Sequence, residues 1–147
     1  MSAERNLRLV QRMYEALNRQ DIDAHDEYWH EDMVWHGPPG FGSIHGLEGF
    51  KNEVLRPFYK AFPDYFAKND IEFADEKWVA ATGFVTGTQM GPYLGFPATG
   101  KKMRMRFSDF WSVRNGKLSE NWVMIDHVDV FRQLGFDMME NLPGPRG

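Results

Sequence analysis

The chain has 147 residues, a formal net charge of −4 and no cysteine. The absence of cysteine excludes disulfides, thiolate nucleophiles and zinc–thiolate sites, and the scattered lysines and arginines argue against nucleic acid or an anionic membrane as the main partner. Aromatic residues make up 15% of the sequence, an excess that fits either an aromatic-rich core or a cavity lined by rings.

The length suits one domain with its own core, and we expect a single domain over residues 1–147. No apolar run approaches the roughly 20 residues that a membrane-spanning helix needs. The N-terminal segment carries charge throughout and lacks the apolar core of a signal peptide. We therefore expect a cytoplasmic protein.

Two apolar stripes at helical spacing mark the N-terminal half. The first consists of Leu7, Val10, Tyr14 and Leu17. It predicts an amphipathic helix over residues 4–19. The second stripe consists of Phe50, Val54, Phe58 and Phe62. It predicts another helix from Leu47, which Pro57 is expected to kink or end.

Shorter elements are predicted between these two helices. Asp21 is placed to cap a short helix over DIDAHDEYW. The segment MVWHG predicts a short strand. The following stretch, GPPGFGSIHG, contains two prolines and four glycines, and we expect it to exclude regular structure.

The second half of the chain has the pattern of β-strands. Runs rich in β-branched and aromatic residues predict strands over residues 65–74, 77–90, 101–114 and 117–127. A final short helix, VDVFRQLG, is predicted to end at Gly135. Helices followed by consecutive antiparallel strands indicate an α+β domain.

The stretch MRMRFSDFWSVRNGK places a carboxylate in the middle of an apolar row. One face of this predicted strand carries Met103, Met105, Phe107, Asp109, Trp111 and Val113. A lone buried carboxylate costs free energy unless it is paired, hydrogen-bonded or protonated. Asp109 therefore either has a structural partner or faces a cavity. In an apolar cavity its pKa would rise, which suits the removal of a proton next to a carbonyl.

The turn VRNGKL decides which residues of the next strand share a face with Asp109. A tight two-residue turn would place Trp122 opposite Asp109. A three-residue turn with a bulge at Gly116 would slip the register by one residue. Asp109 would then share its face with Asn121, Val123 and Ile125, and both readings stay open from the sequence.

Two further residues are candidates for proton transfer. His36 follows Trp35 at the end of a predicted strand, where it would orient a carbonyl or shuttle protons beside Asp109. A position in a surface loop is the alternative for His36. Asp126 is the rival carboxylate, and its alternative role is to cap the last helix.

The remaining candidates are ligand-binding residues. Tyr14 lies on the apolar stripe of the first helix, where its hydroxyl would contact a bound oxyanion, with core packing as the alternative. Trp35, Phe58 and Trp111 are expected to line the cavity or the core. We expect His25 and His30 to face solvent. The spacing of the histidines fits no metal motif, so no metal is expected.

Several motifs carry a resemblance to a known family. They are GTQMGPYLGFPATGKK, NGKLSENW, DVFRQLG and HEDMVWHGPPG. On these stretches the chain, over residues 4–136, resembles the SnoaL-like small polyketide cyclases, whose superfamily includes ketosteroid isomerase and scytalone dehydratase. The resemblance implies a cone in which a curved antiparallel sheet wraps around helices and encloses an apolar pocket. It also implies a homodimer through the outer face of the sheet.

The resemblance implies aldol chemistry without a metal or organic cofactor. The family's acid/base Asp, on the last long strand, corresponds to Val123 in this chain. A pocket His on the preceding strand corresponds to Asp109. In the bulged register, Asp109 and Val123 are cross-strand neighbours. Having Asp and Val where the family has His and Asp would therefore change both side chains but keep a base in the same pocket.

Taken together, these patterns predict an enzyme that removes a proton next to a carbonyl of a small apolar compound, leading to aldol cyclisation, isomerisation or dehydration. The predicted catalytic residues are Asp109 and His36. The predicted binding residues are Tyr14, Trp35, Phe58, Phe107, Trp111, Asn121 and Val123. A binding protein of the same fold without catalysis is the main alternative, and a hydrolase on the same cone is a further one.

Overall fold

A curved six-stranded sheet is covered on one face by helices in this computed structural model. The structure describes residues 2–144. The strands are β1 (Trp29–His36), β2 (Ser43–His45), β3 (Phe66–Ala74), β4 (Trp78–Thr88), β5 (Lys102–Arg114) and β6 (Lys117–Ile125). Their order across the sheet is β2-β1-β6-β5-β4-β3. Neighbouring strands are antiparallel except β1 and β6, which are parallel.

The helices are α1 (Ala3–Arg19), a 3-10 helix (Asp23–Glu27), α2 (Leu47–Phe50), a π-helical turn (Lys51–Leu55), α3 (Arg56–Ala61) and α4 (His127–Gln133). Together with the sheet they confirm the predicted α+β cone. None of the helices described between residues 2 and 144 is long and apolar enough to cross a membrane.

Helix α1 forms where the first apolar stripe predicts it. The Ser2 side chain accepts a hydrogen bond from the backbone N–H of Arg5 and caps the first turn. Gln20 ends the helix in the left-handed conformation, with φ of 58°. The buried stripe, which includes Val10, Met13 and Tyr14, packs against β3 and β4.

The helical path from Leu47 to Ala61 contains the interruption that Pro57 predicts. A proline has no N–H for the i→i−4 ladder, and the π turn lies directly before α3, which has Pro57 in its first turn. In α3, the consecutive residues Phe58 and Tyr59 are both buried.

The two predictions for the segment between these helices have different outcomes. The predicted short helix is present as a 3-10 helix, and the Asp21 side chain accepts a hydrogen bond from the N–H of Ala24 at 3.2 Å. The Pro-Gly stretch is not entirely irregular, because its last residues form β2 against β1. The prolines and glycines occupy the turn that a hydrogen bond from Gly37 N–H to Gly42 C=O closes, so the chain beyond is free to pair.

The register of β5 and β6 combines features of both alternatives. Asn115 and Gly116 both have positive φ, 48° and 79°, and form the tight two-residue turn that pairs Arg114 with Lys117. Leu118 pairs with Val113 but Glu120 pairs with Ser112, which leaves Ser119 as an extra residue. The bulge predicted at Gly116 was therefore misplaced, because the Asn-Gly pair already satisfies the turn.

This bulge determines the two faces of the central strands. Asp109 pairs with Val123, and Trp111 pairs with Asn121. These four side chains share the inner face, as the slipped register predicts. The outer face exposes large apolar side chains, among them Phe73, Phe110 and Met124.

The loop between β4 and β5 is organised by one buried glutamine. Gln89 is fully buried, and its amide donates to the carbonyls of Phe96 and Pro97 at 3.1 Å each. Its side-chain oxygen accepts from both the backbone N–H and the hydroxyl of Thr99. The distinctive sequence of this loop therefore has a structural cause.

Candidate active site

A cavity lies between the helices and the inner face of the sheet. Its walls are mainly aromatic, aliphatic and thioether side chains. All seven predicted binding residues line it: Tyr14, Trp35, Phe58, Phe107, Trp111, Asn121 and Val123. Among the described residues that line it, none is Lys, Arg or His.

Asp109 is the carboxylate of this cavity. Its side-chain oxygen Oδ2 accepts a hydrogen bond from the Tyr14 hydroxyl at 2.7 Å. Its other oxygen, Oδ1, is buried and has no hydrogen-bond partner within residues 2–144. Burial raises the pKa of the Asp109 carboxyl from 3.8 to about 7, and the hydrogen bond from Tyr14 opposes that rise. A carboxyl with this pKa exchanges a proton readily near neutral pH.

Tyr14 is fixed from three sides. Its ring stacks on Phe107, with 6.0 Å between centroids, and lies edge-on to Trp111, with 5.9 Å between centroids. Burial, followed by the charge of Asp109, raises the pKa of the Tyr14 hydroxyl well above its ordinary value. The hydroxyl therefore stays protonated and acts as a donor to Asp109.

The structure adds two tyrosines that the sequence reasoning missed. Tyr59 lines the cavity and donates its hydroxyl to the carbonyl of Leu17 at 2.8 Å. Tyr65 also lines the cavity, and burial, followed by the charges of Tyr59 and Asp109, raises its pKa. Tyr59 lies one residue beyond Phe58 of the predicted apolar stripe, and Tyr65 is the first residue of the predicted strand over residues 65–74, directly before β3.

Asn121 is held by the backbone of the neighbouring strand. Its side-chain nitrogen donates to the carbonyl of Phe110 at 3.0 Å. Its position opposite Trp111 places the amide at the cavity wall, two residues before Val123. No group of three or more residues suited to hold a metal occurs in the described part of the chain.

Residues 8–134 match the family described as SnoaL-like polyketide cyclase. The chain belongs to this family.

The chain is similar to curated and structurally solved SnoaL-like proteins over nearly its whole length. It is 30% identical over 145 residues to the aklanonic acid methyl ester cyclase DnrD of Streptomyces peucetius, covering 95% of this chain and 94% of the relative.

Two solved structures extend the comparison. IdmH of Streptomyces antibioticus, provisionally assigned as a polyketide cyclase, superposes with a TM-score of 0.78 at 28% identity, covering 89% of this chain and 99% of that chain. AclR of Streptomyces galilaeus, provisionally assigned as a hydroxylase, superposes with a TM-score of 0.79 at 25% identity, covering 91% of this chain and 98% of that chain.

This SnoaL-like protein does not place His36 beside Asp109, so the predicted pocket position of His36 is wrong. Trp35 faces the cavity, and because side chains alternate along a strand, its neighbour His36 faces the outer side. There His36 bonds with the carboxylate of Glu120 and with the Ser43 hydroxyl, and its ring stacks on Trp122 at 5.3 Å.

Two other predictions outside the cavity have opposite outcomes. The Asp126 side chain accepts a hydrogen bond from the N–H of Asp129 at 3.1 Å, so the capping alternative is confirmed. His25 was expected to face solvent and is fully buried instead. Burial, with the charge of Lys51, lowers the pKa of His25 to about 4.

His30 also departs from the expected solvent-facing position. It is only partly exposed, and its ring forms a hydrogen bond with the carbonyl of Arg114.

The cavity of this SnoaL-like protein contains one of the two predicted catalytic residues and every predicted binding residue.

Proposed function

We propose that this SnoaL-like protein is a cofactor-free enzyme that transfers a proton next to a carbonyl group, with Asp109 as the acid/base. The observation that carries the proposal is the Asp109 carboxyl in an aromatic cavity, with one oxygen unpartnered among the described residues and a pKa near 7. Perturbed carboxyls of this kind cluster at functional sites.

An aldol cyclisation would use Asp109 twice. The ionised carboxylate removes a proton from the carbon next to one carbonyl, and the electron pair of that C–H bond becomes an enolate. The enolate carbon attacks a second carbonyl of the same molecule, which forms a carbon–carbon bond and an alkoxide. Protonated Asp109 then gives the proton to the alkoxide, so the enzyme ends as it began. Isomerisation and dehydration begin with the same removal.

The lining also limits the substrate. The cavity has a carboxyl but no basic side chain among its described lining residues. A charged carboxylate on the substrate would have no counter-ion there and would be repelled by ionised Asp109. We therefore expect a small, mostly apolar and uncharged carbonyl compound.

The experiment is proton exchange in deuterated water. The protons next to the carbonyl of 2-tetralone, a neutral bicyclic ketone, are followed by NMR, and turnover of aklanonic acid methyl ester is assayed in parallel. We expect Asp109→Asn to lower the exchange rate by at least about 100-fold. The matched control Asp70→Asn alters an exposed carboxylate and should leave the rate unchanged. Full exchange in Asp109→Asn would overturn the assignment.

One observation favours a second candidate, a binding protein without catalysis. Val123 occupies the position where the resemblance implies the acid/base Asp of the family, and it pairs directly with Asp109. This candidate predicts that wild type and Asp109→Asn bind 2-tetralone equally and that neither protein accelerates exchange.

The outer face supports a further proposal, a homodimer. Phe110, Met124 and Phe73 are 50%, 70% and 64% exposed on this face, and contiguous apolar patches of this kind mark interaction sites. A second copy would cover the same patch on both subunits. Light scattering should give twice the chain mass for wild type and the monomer mass for Met124→Asp combined with Phe110→Asp. A wild-type monomer would contradict this proposal.

A further inference from the structure

A second apolar cavity, which we call the side cavity, adjoins the cavity of Asp109. Its lining comes from three segments that are distant in the chain. Phe41 belongs to the Pro-Gly stretch, Glu53 and Phe58 to the helical path before β3, and Leu94 to the loop between β4 and β5. Phe58 lines both cavities, so the two spaces share a wall.

The ring of Phe41 lies at this wall. It lines the side cavity but is not among the described residues that line the cavity of Asp109. It stacks face to face on Phe58, with 5.5 Å between centroids and an angle of 3° between the planes. It also meets Trp35 edge-on, with 5.4 Å between centroids. Because Phe58 and Trp35 both line the cavity of Asp109, removal of the Phe41 ring would leave space beside that cavity.

The backbone around Phe41 is a tight turn. The glycines on either side, Gly40 and Gly42, both have positive φ, 103° and 74°, which glycine adopts at little steric cost. The N–H of Phe41 donates to the carbonyl of Pro38 at 3.1 Å, and the N–H of Gly37 donates to the carbonyl of Gly42 at 3.0 Å. The turn therefore directs the Phe41 ring onto Phe58.

We propose that Phe41 determines how long a substrate this site accepts, because its ring closes the cavity of Asp109 towards the side cavity. This inference rests on the proposed function for its class of substrate, an uncharged carbonyl compound. With Phe41 in place the site accepts a bicyclic ketone. The third ring of a linear tricyclic ketone needs the space that the Phe41 ring occupies.

The charges of the two cavities narrow the ligand class further. Glu53 lines the side cavity, and none of its described lining residues is Lys, Arg or His. A ligand that reached from Asp109 into the side cavity would meet a carboxylate in each space and no counter-ion for an anionic group. We therefore expect the longer ligand, like the shorter one, to be an uncharged aromatic ketone.

Leu94 provides a matched control. It lines the side cavity and is 38% exposed, but it is not among the described residues that line the cavity of Asp109. Leu94→Ala therefore enlarges the side cavity without opening it towards Asp109. Leu94 has a positive φ of 48°, and alanine experiences much the same backbone strain there, so the substitution tests the side chain alone.

The experiment compares two ketones that differ by one ring. Dissociation constants of 2-acetylnaphthalene and 2-acetylanthracene are measured for wild type, Phe41→Ala, Phe41→Leu and Leu94→Ala. We expect Phe41→Ala to shift the ratio of the two constants about tenfold in favour of the tricyclic ketone, because one more ring is buried. Phe41→Leu should give a smaller shift in the same direction. Leu94→Ala should keep the wild-type ratio within about twofold.

The ratio is taken within one variant, so a general loss of affinity cancels. Thermal melting of each variant verifies that the fold is intact, and Phe41→Leu carries the test if Phe41→Ala does not fold.

NMR gives a second readout, the position of the third ring. Nuclear Overhauser contacts are measured between 2-acetylanthracene and the methyl groups of Leu94, which are assigned by their absence in Leu94→Ala. We expect contacts from the ring farthest from the acetyl group in Phe41→Ala and none from it in wild type.

Four results would overturn the inference. They are an unchanged ratio in the folded Phe41 variants, an equal shift in Leu94→Ala, contacts between the third ring and Leu94 in wild type, or no binding of 2-acetylnaphthalene to wild type.

Asp109→Asn separates this inference from the proposed function. The ratio depends on binding alone, so adding Phe41→Ala to Asp109→Asn should shift it as it does in wild type. If Asp109→Asn retains full proton exchange, the proposed role of Asp109 fails while the ratio still reports on Phe41. If exchange is lost in Asp109→Asn but the ratio does not respond to Phe41, only the present inference fails.

Discussion

Asp109 and His25 are both buried, and each has a polar atom without a partner in the described residues. Burial shifts the pKa of each towards its neutral form, to about 7 for Asp109 and to about 4 for His25. They differ in what surrounds them. Asp109 faces a cavity, whereas His25 packs edge-on to the rings of Tyr28 and Phe50, each with 6.2 Å between centroids.

The comparison separates burial, which the two groups share, from contact with the cavity, which only Asp109 of the two has. His25 also lies near Lys51, whose ammonium group bonds to Asp26 at 2.6 Å and to Glu48 at 3.6 Å. That positive charge reinforces the neutral form of His25, which is not among the residues that line the cavity of Asp109. Asp109 lines the cavity, and within residues 2–144 only one of its two oxygens accepts a hydrogen bond.

The largest expected effect is the pH dependence of proton exchange. Since the base must be ionised and the pKa of Asp109 is about 7, the rate should rise with pH and level off above 7. It should fall about tenfold for each pH unit below that, and be roughly 100-fold lower at pH 5. The measurement is the rate of 2-tetralone exchange from pH 5 to 9. A rate already level at pH 5 would remove the distinction between Asp109 and an ordinary carboxylate.

The next effect concerns stability. In the unfolded chain the Asp109 carboxyl loses its proton near pH 3.8, whereas in the folded chain it keeps the proton up to about pH 7. Wild type therefore loses stability as pH rises from about 4 to 7. Asp109→Asn has no such loss, and we expect it to be more stable than wild type by about 1–3 kcal/mol at pH 8. Urea unfolding at pH 4 and pH 8 measures the difference, and equal differences at both values would contradict it.

His25 should give a stability effect of opposite pH sense. As the pH falls, His25 takes up a proton near pH 6.5 in the unfolded chain but only near pH 4 in the folded chain. Wild type therefore loses stability as the pH falls through this range. We expect His25→Leu to lack this loss, which amounts to about 1–2 kcal/mol between pH 7 and 5. Urea unfolding at both pH values tests this expectation, and 2-tetralone exchange should be retained. A loss of proton exchange in His25→Leu would contradict the distinction between His25 as a core residue and Asp109 as the acid/base.

The smallest effect is that of Tyr14→Phe. Removing the hydroxyl removes the hydrogen bond that lowers the pKa of Asp109. The pH midpoint of exchange should move upwards, and exchange at pH 7 should fall by roughly threefold to tenfold. The pH profile of the variant measures this shift. A midpoint that moves downwards would contradict the role given to Tyr14.

The sequence was informative where periodicity applies. Strand alternation placed Asp109, Phe107 and Trp111 on one inner face, and helical spacing placed Tyr14 above them. Strand alternation and helical spacing predict these positions correctly because one face of each element is buried.

The errors arose where no period exists or where one was not applied. His25 lies in a 3-10 helix too short to show an amphipathic pattern. His36 was proposed from its position beside a loop, although alternation allows only one of Trp35 and His36 to face the cavity. Tyr59 was missed because it lies one residue beyond Phe58 of the predicted apolar stripe.

Ser119, the extra residue of β6, has a consequence for how this family can diversify. Substitution of Val123 or Ile125 alters one wall of the cavity and leaves the rest in place. Deletion of one residue at the bulge would turn the strand over, so that Trp122 and Met124 replaced them inside and the polar Asn121 pointed outwards. New specificities are therefore accessible through amino-acid exchange in this strand, whereas a change of its length by a single residue would exchange interior for exterior.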